Sequence, residues 1–483
     1  MLQSREFREV RGTVKAGRYA VPLICVAQLM ATLDVTIVNL ALPQIQADLG
    51  MSNAGLAWVV DAYTLAYAGL LLVGGRTGDL LGHRRTLVAG IAVFTAASLV
   101  AGLAPTEGAL LAARAGQGIG AALATPTTLS LITILTPAGP ARTRAMVAYG
   151  AMAGLGITLG LVLGGVLTEL ASWRWVFLVN VPIGAVVLAS ATRVLPDSRG
   201  PRRRLDLTGA LLGTAALTGL VFGVIRAGTD FWGERWSTAA LAASVVLMSA
   251  FVAVERRVSE PTLPLRLVRH RVRFGAYLVA GLLFACLYPA FFLLSRTLQD
   301  VQGHGPIAAG LRFLPIGVGV LVFAMVTRRV MTSTGPRPLV IGGTLATALG
   351  ATCLVGIESG SPYLTMLLPC LVGLGAGVGT TFVANAALAM TDVPEADAGI
   401  ASGLLSTFQA VGGTVGVAVL AAVAAGRTES RLAELGRPWS PGVIQEALLS
   451  GFGVSFTLAA GLAGLAVVVA GAMAPARAHG GAR

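Results

Sequence analysis

The stretch Ala31–Pro43 reads ATLDVTIVNLALP. It closes an apolar run that begins at Tyr19, and between Arg18 and Asp34 no residue is charged. To Ala41 the run is 23 residues long, about 34 Å as a helix, which is enough to cross a bilayer. A carboxylate at that depth costs roughly 2.5–3.5 kcal/mol to insert. A chain that keeps Asp34 there uses it or pairs it, and we read it as a proton site that the other parts serve.

The remaining composition agrees with a membrane setting. Of the 483 residues, 55% are hydrophobic and 12% charged, and the mean hydropathy is +0.79. Soluble domains carry about 25% charged residues. The first run is too long for a signal-peptide core and no small-residue cleavage site follows it, so it reads as a retained anchor. A net charge of +13 would suit nucleic acid, but the basic residues sit between apolar runs rather than in one patch. Lys15 is the only lysine. A phosphate-cradling loop needs Gly-Lys-Ser/Thr, and Lys15 is followed by Ala16, so no ATP site of that kind is present. Cys25, Cys286, Cys353 and Cys370 all fall in apolar runs without pairing or metal spacing, and read as packing residues. The four histidines are scattered. No hydrolase or metal constellation is visible, so an enzyme is not expected, and no cofactor beyond protons as the coupling ion.

Fourteen apolar runs follow one another along the chain. With the N-terminus placed in the cytoplasm and sides alternating, the inner connections hold most of the arginines, as the positive-inside rule requires. Both termini are then cytoplasmic, in a multi-pass protein of the cell inner (plasma) membrane. The halves also echo each other. GHRRTLVAG (Gly82–Gly90) matches GPRPLVIGG (Gly335–Gly343), GQGIG (Gly116–Gly120) matches GLGAG (Gly373–Gly377), and GLGITLG (Gly154–Gly160) matches AVGGTVG (Ala410–Gly416), at offsets of 253, 257 and 256. The expected architecture is an all-α polytopic membrane protein of 14 transmembrane helices, two six-helix bundles plus two inserted helices. Residues 1–194 form the first bundle, 195–273 basic linkers with the inserted pair, and 274–483 the second bundle. Parallel repeats of this kind suit a transporter that rocks one half against the other.

Three features carry chemistry. Asp34 on span 1, Asp61 on span 2 and Arg114 on span 4 all fall six or seven residues from the expected outer ends, roughly 8–10 Å deep. Together they would form one titrating layer; the plainer alternative is a static ion pair that locks helices together. Next, GRTGDLLGHRR (Gly75–Arg85) lies at the inner end of span 2. Its glycines, Gly75 and Gly82 among them, allow a tight turn. Asp79 there can cap the next helix or pair with an arginine, and Arg84 and Arg85 anchor the inner surface. Last, span 5 carries Gly160, Gly164 and Gly165 with further glycines at four-residue spacing, which lets helices touch or bend. Asn39, Tyr63, Gln117, Phe408 and Gln409 are candidate cavity residues from span and residue type. Asp392, Glu395 and Asp397 fall in an inner loop, where basic loops of the first half are their expected partners.

These segments resemble the major facilitator superfamily, in its fourteen-helix drug:proton antiporter branch, over nearly the whole chain. The pieces are LDVTIVNLALP (Leu33–Pro43), WVVDAYTLAYA (Trp58–Ala68), Gly75–Arg85, LLAARAGQGIGAAL (Leu110–Leu123), WRWVFLVNVPIG (Trp173–Gly184) and PTLPLRLVRHR (Pro261–Arg271). The resemblance implies Asp34 and Asp61 as protonation or cation-sensing acids, Arg114 as the proton-coupling arginine, and Asp79 with its loop as the inner gate. The chain departs from the branch at two places. The span-5 motif, usually G-P-x-x-G-G, lacks its proline and reads GLVLGG (Gly160–Gly165). The Tyr-Leu-Gln of span 9 is Thr297–Gln299. The expected function is a proton-coupled secondary exporter of lipophilic or cationic drugs or an antibiotic natural product, working by alternating access as a monomer in the lipid bilayer, without ATP or nucleic acid. The rivals are a facilitator or importer of the same fold without proton antiport, and a non-transporting membrane sensor. Against the sensor, the longest outer stretch, Arg427–Ser450, has only 24 residues.

Overall fold

A lipid environment offers the backbone no hydrogen bonds, so each apolar run must satisfy its own N–H and C=O groups as a helix. The computed structural model describes residues 2–137, 140–196, 207–229, 235–258, 263, 265–394, 397–436 and 440–473. The basic stretch at 197–206 and Glu395 lie outside these. Among the described residues every regular element is helical.

The spanning helices of the first half are α1 (Leu2–Leu49), α2 (Asn53–Leu81), α3 (His83–Gly102), α4 (Glu107–Leu135), α5 (Pro140–Leu170) and α6 (Asn180–Val194). The inserted pair is α7 (Leu207–Thr229) and α8 (Arg235–Glu255). The second half contains α9 (Arg271–Arg296), α10 (Pro306–Thr334), α11 (Pro336–Cys353), α12 (Leu368–Ala389), α13 (Ala398–Leu435) and α14 (Pro441–Ala472). By length and composition thirteen helices can cross a membrane, or fourteen when the two bent parts of α2 count as one span. Among the described residues the upper count equals the fourteen spans expected.

The internal echo is visible as packing. In the first half α1 packs on α5, α2 and α3 on α4, and α3 on α6; in the second, α9 packs on α13, α10 and α11 on α12, and α11 on α14. The inserted α7 packs on α8, on α2 and on α13, so it spans the seam between the halves. α8 is peripheral, with Trp236, Val245 and Val246 exposed, as a lipid-facing helix would be. Three helices that begin at one end of the bundle are capped by hydroxyls. Ser52 accepts from the Gly55 N–H at the start of α2, Thr106 from Ala109 at α4, and Ser440 from Val443 at α14, each satisfying one of the open N–H groups of a first turn.

The structure corrects the sequence reading at several ends. α1 does not stop at Ala41 but runs through Pro43 to Leu49. α13 and α14 meet outside the apolar core: Arg431 bridges Glu434 at 2.9 Å and Glu446 at 2.7 Å, and Arg427 reaches Glu434 at 3.3 Å. Those pairs extend both helices into the expected loop. A bend of 51° falls in α2, between Trp58–Leu71 and Val73–Leu81, whereas α5, whose glycines allow contact or a bend, is a continuous helix. Asp392 and Asp397 meet the linker between the halves rather than loops of the first half. Arg266, on the short helix Leu265–Arg269, reaches the buried Asp397 at 2.6 Å, and Arg273 donates to the Asp392 carbonyl.

Two cysteines are not plain packing residues. Cys353 at the end of α11 and Cys370 in the first turns of α12 form a disulfide, with Cα atoms 5.6 Å apart. Their separation of 17 in sequence matches no spacing motif; they meet because the connection turns back on itself. Closing a loop of about this size restricts the unfolded chain by about 3 kcal/mol. Cys353→Ser is expected to lower the thermal midpoint of the purified protein, and dithiothreitol to lower the native protein's midpoint but not the variant's.

Candidate functional site

Asp34 lies inside the first bundle with an exposure of 0%, and Arg114 with 1%. The Arg114 Nη1 donates to Asp34 Oδ2 at 2.7 Å and to Gln117 Oε1 at 2.9 Å. Its Nε donates to the Val59 carbonyl of α2 at 2.8 Å. The second carboxylate oxygen, Asp34 Oδ1, accepts from Gln117 Nε2 at 2.9 Å and from Asn180 Nδ2 at 2.8 Å. Gln117 Nε2 also donates to Ser98 Oγ at 2.8 Å. One carboxylate thus joins α1 to α4 and α6 directly, and to α2 and α3 through Arg114 and Gln117. A buried charge is tolerable when it is paired and its remaining lone pairs are hydrogen-bonded, and here both conditions hold.

Aromatic rings close the site. The guanidinium carbon of Arg114 lies 4.6 Å from the Tyr63 ring centroid and 5.9 Å from that of Phe177. Tyr63 in turn stacks on Tyr67 at 5.7 Å.

Asp61 does not join the layer. Two residues along a helix turn it by 200°, so while Val59 and Tyr63 face Arg114, Asp61 points away. It shares a face with Trp58 and Leu65, which pack on Phe222, Val221 and Ile225 of α7. No hydrogen bond or ion pair holds its carboxylate among the described residues. The two acids are separate sites.

A cavity of about 140 Å³ lies between the halves. Of the candidate cavity residues Tyr63 and Gln409 line it. The other three lie elsewhere. Gln117 belongs to the Asp34 network, Asn39 donates to its own helix at Val35, and Phe408 stacks on Tyr277 at 5.8 Å. Sequence reasoning missed Tyr149, which lines the cavity and donates to Gln28 Oε1 at 2.7 Å. It also missed Asn180 and Ser98 as members of the Asp34 network; the one signal was a polar side chain inside an apolar run.

The halves touch toward both ends of the bundle. At one end Ser402 of α13 donates to the Pro126 carbonyl of α4 and meets Ser130 Oγ at 3.2 Å. Gly403 lies beside Leu71 and Gly75, so the Gly75–Arg85 stretch starts at this seam. Within it Gly82 has φ +96°, which joins α2 to α3 in a turn that other residues resist. Asp79 pairs with His83 at 3.5 Å, and Arg84 donates to the Leu195 carbonyl. At the other end Glu169 accepts from the Ile307 N–H of α10. Between these ends α5 shows two faces. Gly156, Gly160 and Gly164 lie against the α1 backbone at Leu29, Leu33 and Ile37, too close for any added Cβ, and Gly165 is buried beside them. Gly154 and Thr158 press on Val320 and Gly317 of α10 in the other half.

The Major Facilitator Superfamily profile matches residues 24–417. The chain belongs to that superfamily. It is a multi-pass membrane transporter. It is 40% identical over 453 residues to the puromycin resistance protein of Streptomyces alboniger, covering 93% of this chain and 89% of the relative. It is 41% identical over 445 residues to the cephamycin export protein of Amycolatopsis lactamdurans (88% and 90% covered), and 37% over 448 residues to the lincomycin resistance protein of Streptomyces lincolnensis (92% and 88%). Among solved structures a superfamily proton:xylose symporter superposes with a TM-score of 0.66 at 16% identity (94% and 95% covered), and a human organic anion transporter with 0.62 at 18% (94% and 99%). At those identities the structural match speaks for the fold alone.

Proposed function

We propose that this superfamily transporter exports lipophilic small molecules, drugs or an antibiotic natural product, in exchange for protons and by alternating access. The observation that carries the reading is the sealed Asp34–Arg114 pair with its amide partners. A proton on Asp34 cancels the charge that Arg114, Gln117 and Asn180 converge on, and leaves a buried guanidinium without its counter-charge. The network must then rearrange, and α1 is released from α4 and α6. α1 lies against the α5 glycines, and the opposite face of α5 presses on α10. A shift at Asp34 therefore has a packed route to the seam between the halves. The cavity volume of about 140 Å³ is below the 300–1,000 Å³ of a site for a drug-sized ligand, so the halves have to part before a substrate enters.

Orientation follows from the arginine distribution: both termini in the cytoplasm, in the plasma membrane. The Cys353–Cys370 disulfide then faces outward, where disulfides persist. Each proton moving inward gains about 2.3 kcal/mol per 100 mV, so the exchange needs no ATP. The names of the relatives, resistance and export proteins for three antibiotics, favour outward transport over import or sensing.

The test is proton flux in proteoliposomes holding the purified full chain and an internal pH dye, challenged with a panel of antibiotics and dyes. Substrate-dependent proton flux opposite to the drug is expected, and Asp34→Asn is expected to abolish it. A facilitator would move drug with no proton signal, and wild-type exchange in Asp34→Asn would sink the assignment of the proton site.

A further inference from the structure

The cavity wall is built without formal charge. Among the described residues lining it none is Asp, Glu, Lys, Arg or His. Six rings stand in the wall, those of Tyr63, Tyr67, Tyr149, Tyr288, Phe284 and Phe382. The two acids nearest to it face elsewhere: Asp34 is enclosed with Arg114 on the far side of the Tyr63 ring, and Asp61 lies on the α2 face toward α7.

Neutral hydrogen-bonding groups remain open in this wall. Asn385 donates through Nδ2 to the Ala276 carbonyl at 2.9 Å, an acceptor that fixes which end of the amide is which, and its Oδ1 has no partner. Gln409, on α13, has no hydrogen bond among the described residues and lines the same space. Buried amide groups in a protein are as a rule satisfied. The unpaired Asn385 oxygen and the half-buried Gln409 amide, on two helices around one cavity, form a receptor for a neutral hydrogen-bonding group.

We propose that the transported molecule carries no formal charge when bound: an aromatic, neutral, hydrogen-bonding compound. It would be held by ring faces and by the Asn385 and Gln409 amides. This rests on the export reading above and narrows it. An ion entering the cavity would leave its hydration shell and meet no counter-charge. Ring faces attract cations, but weakly beside that loss, and for an anion they offer nothing. Drugs with a fixed charge of either sign are thereby disfavoured at the binding step, and proton and substrate occupy different sites rather than competing for one carboxylate.

The experiment is equilibrium binding to the full chain in nanodiscs, at one pH and without any gradient, read by probe fluorescence against empty nanodiscs. The probes are N-phenyl-1-naphthylamine, which is uncharged, its sulfonated relative 8-anilino-1-naphthalenesulfonate, which is an anion, and ethidium, a fixed cation. The uncharged probe is expected to bind saturably, and each charged probe at least about tenfold more weakly. Asn385→Leu and Gln409→Leu are each expected to weaken the uncharged probe by about tenfold. Gln409→Glu, which adds the missing charge while keeping shape, is expected to bring ethidium to at least the affinity of the uncharged probe. Equal or tighter binding of ethidium or the sulfonate to the native protein, sensitive to Gln409→Leu, would overturn the proposal. So would uncharged-probe binding that is not saturable or is unchanged by both leucine substitutions. Because no proton gradient is present, failure here leaves the Asp34 exchange reading standing, and failure of proton exchange in proteoliposomes leaves this result standing.

Discussion

Replacing Arg114 with alanine is expected to destabilise the folded protein by about 3–5 kcal/mol and to end export. The magnitude is that of removing one partner of a buried pair. With an exposure of 0%, Asp34 cannot recover its lost partner from water, and the Val59 carbonyl loses its donor from Arg114 as well. The informative comparison is the double variant Asp34→Asn/Arg114→Gln. Replacing both charges by amides of similar shape removes the unpaired charge, and Gln117 and Asn180 retain acceptors. The double variant should therefore recover most of the stability that Arg114→Ala loses, while proton-driven export stays absent. Thermal unfolding in detergent and proton flux in proteoliposomes read the two quantities separately. A double variant that unfolds as early as Arg114→Ala would show that the pair does not act as a unit. Recovery of export with stability would make the pair a static brace, the plainer alternative that the sequence leaves open.

How much of this was legible in the chain depends on whether a residue's meaning is local. Asp34 and Arg114 stood out because a charge in an apolar run is expensive wherever it points, and their type alone predicts that they find each other. Asp61 carries the same signal at the same expected depth, yet it belongs elsewhere. Depth follows from counting residues, but the face of a helix toward a given neighbour depends on how helices are arranged, and the 200° between Val59 and Asp61 decides that the carboxylate turns to α7. Asn180, Ser98 and Gln117 were illegible as partners for a different reason: single amides and hydroxyls are common in spanning helices and become a network only when α1, α3, α4 and α6 converge. The repeat was legible because packing in both halves reuses the same small-residue positions. The Cys353–Cys370 pair was not, because it is created by the turn between α11 and α12. Between the two uses that the sequence left open for the α5 glycines, contact and bending, the structure shows contact. The glycines of α5 lie against α1 and are held by that contact, so their freedom to bend is not used, and the direction change falls in α2 instead.

Tyr63→Leu is the second large effect expected, and it is expected to separate substrate binding from proton-driven movement. The Tyr63 ring has Arg114 against one face, 4.6 Å from its centroid, and is also a wall of the cavity. A desolvated guanidinium over a ring gains about 2 kcal/mol, and leucine offers no such face. The substitution should therefore lower stability by about that amount, while cavity binding, which has five other rings and the Asn385 and Gln409 amides, falls less. Under the proposed exchange, export should fall much further, because a guanidinium freed by protonation of Asp34 would no longer bear on a side chain of the cavity wall. Tyr63→Phe keeps the ring and is expected to behave as the native protein in all three measurements, since the Tyr63 hydroxyl takes no part in the contact with Arg114. The readouts are thermal unfolding, uncharged-probe binding and substrate-dependent proton flux on the same preparations. If Tyr63→Leu exchanges protons for substrate at the native rate, the two sites communicate by another path, and the α1–α5–α10 contacts become the place to look. If the phenylalanine variant fails as the leucine one does, the hydroxyl rather than the ring face is what joins them.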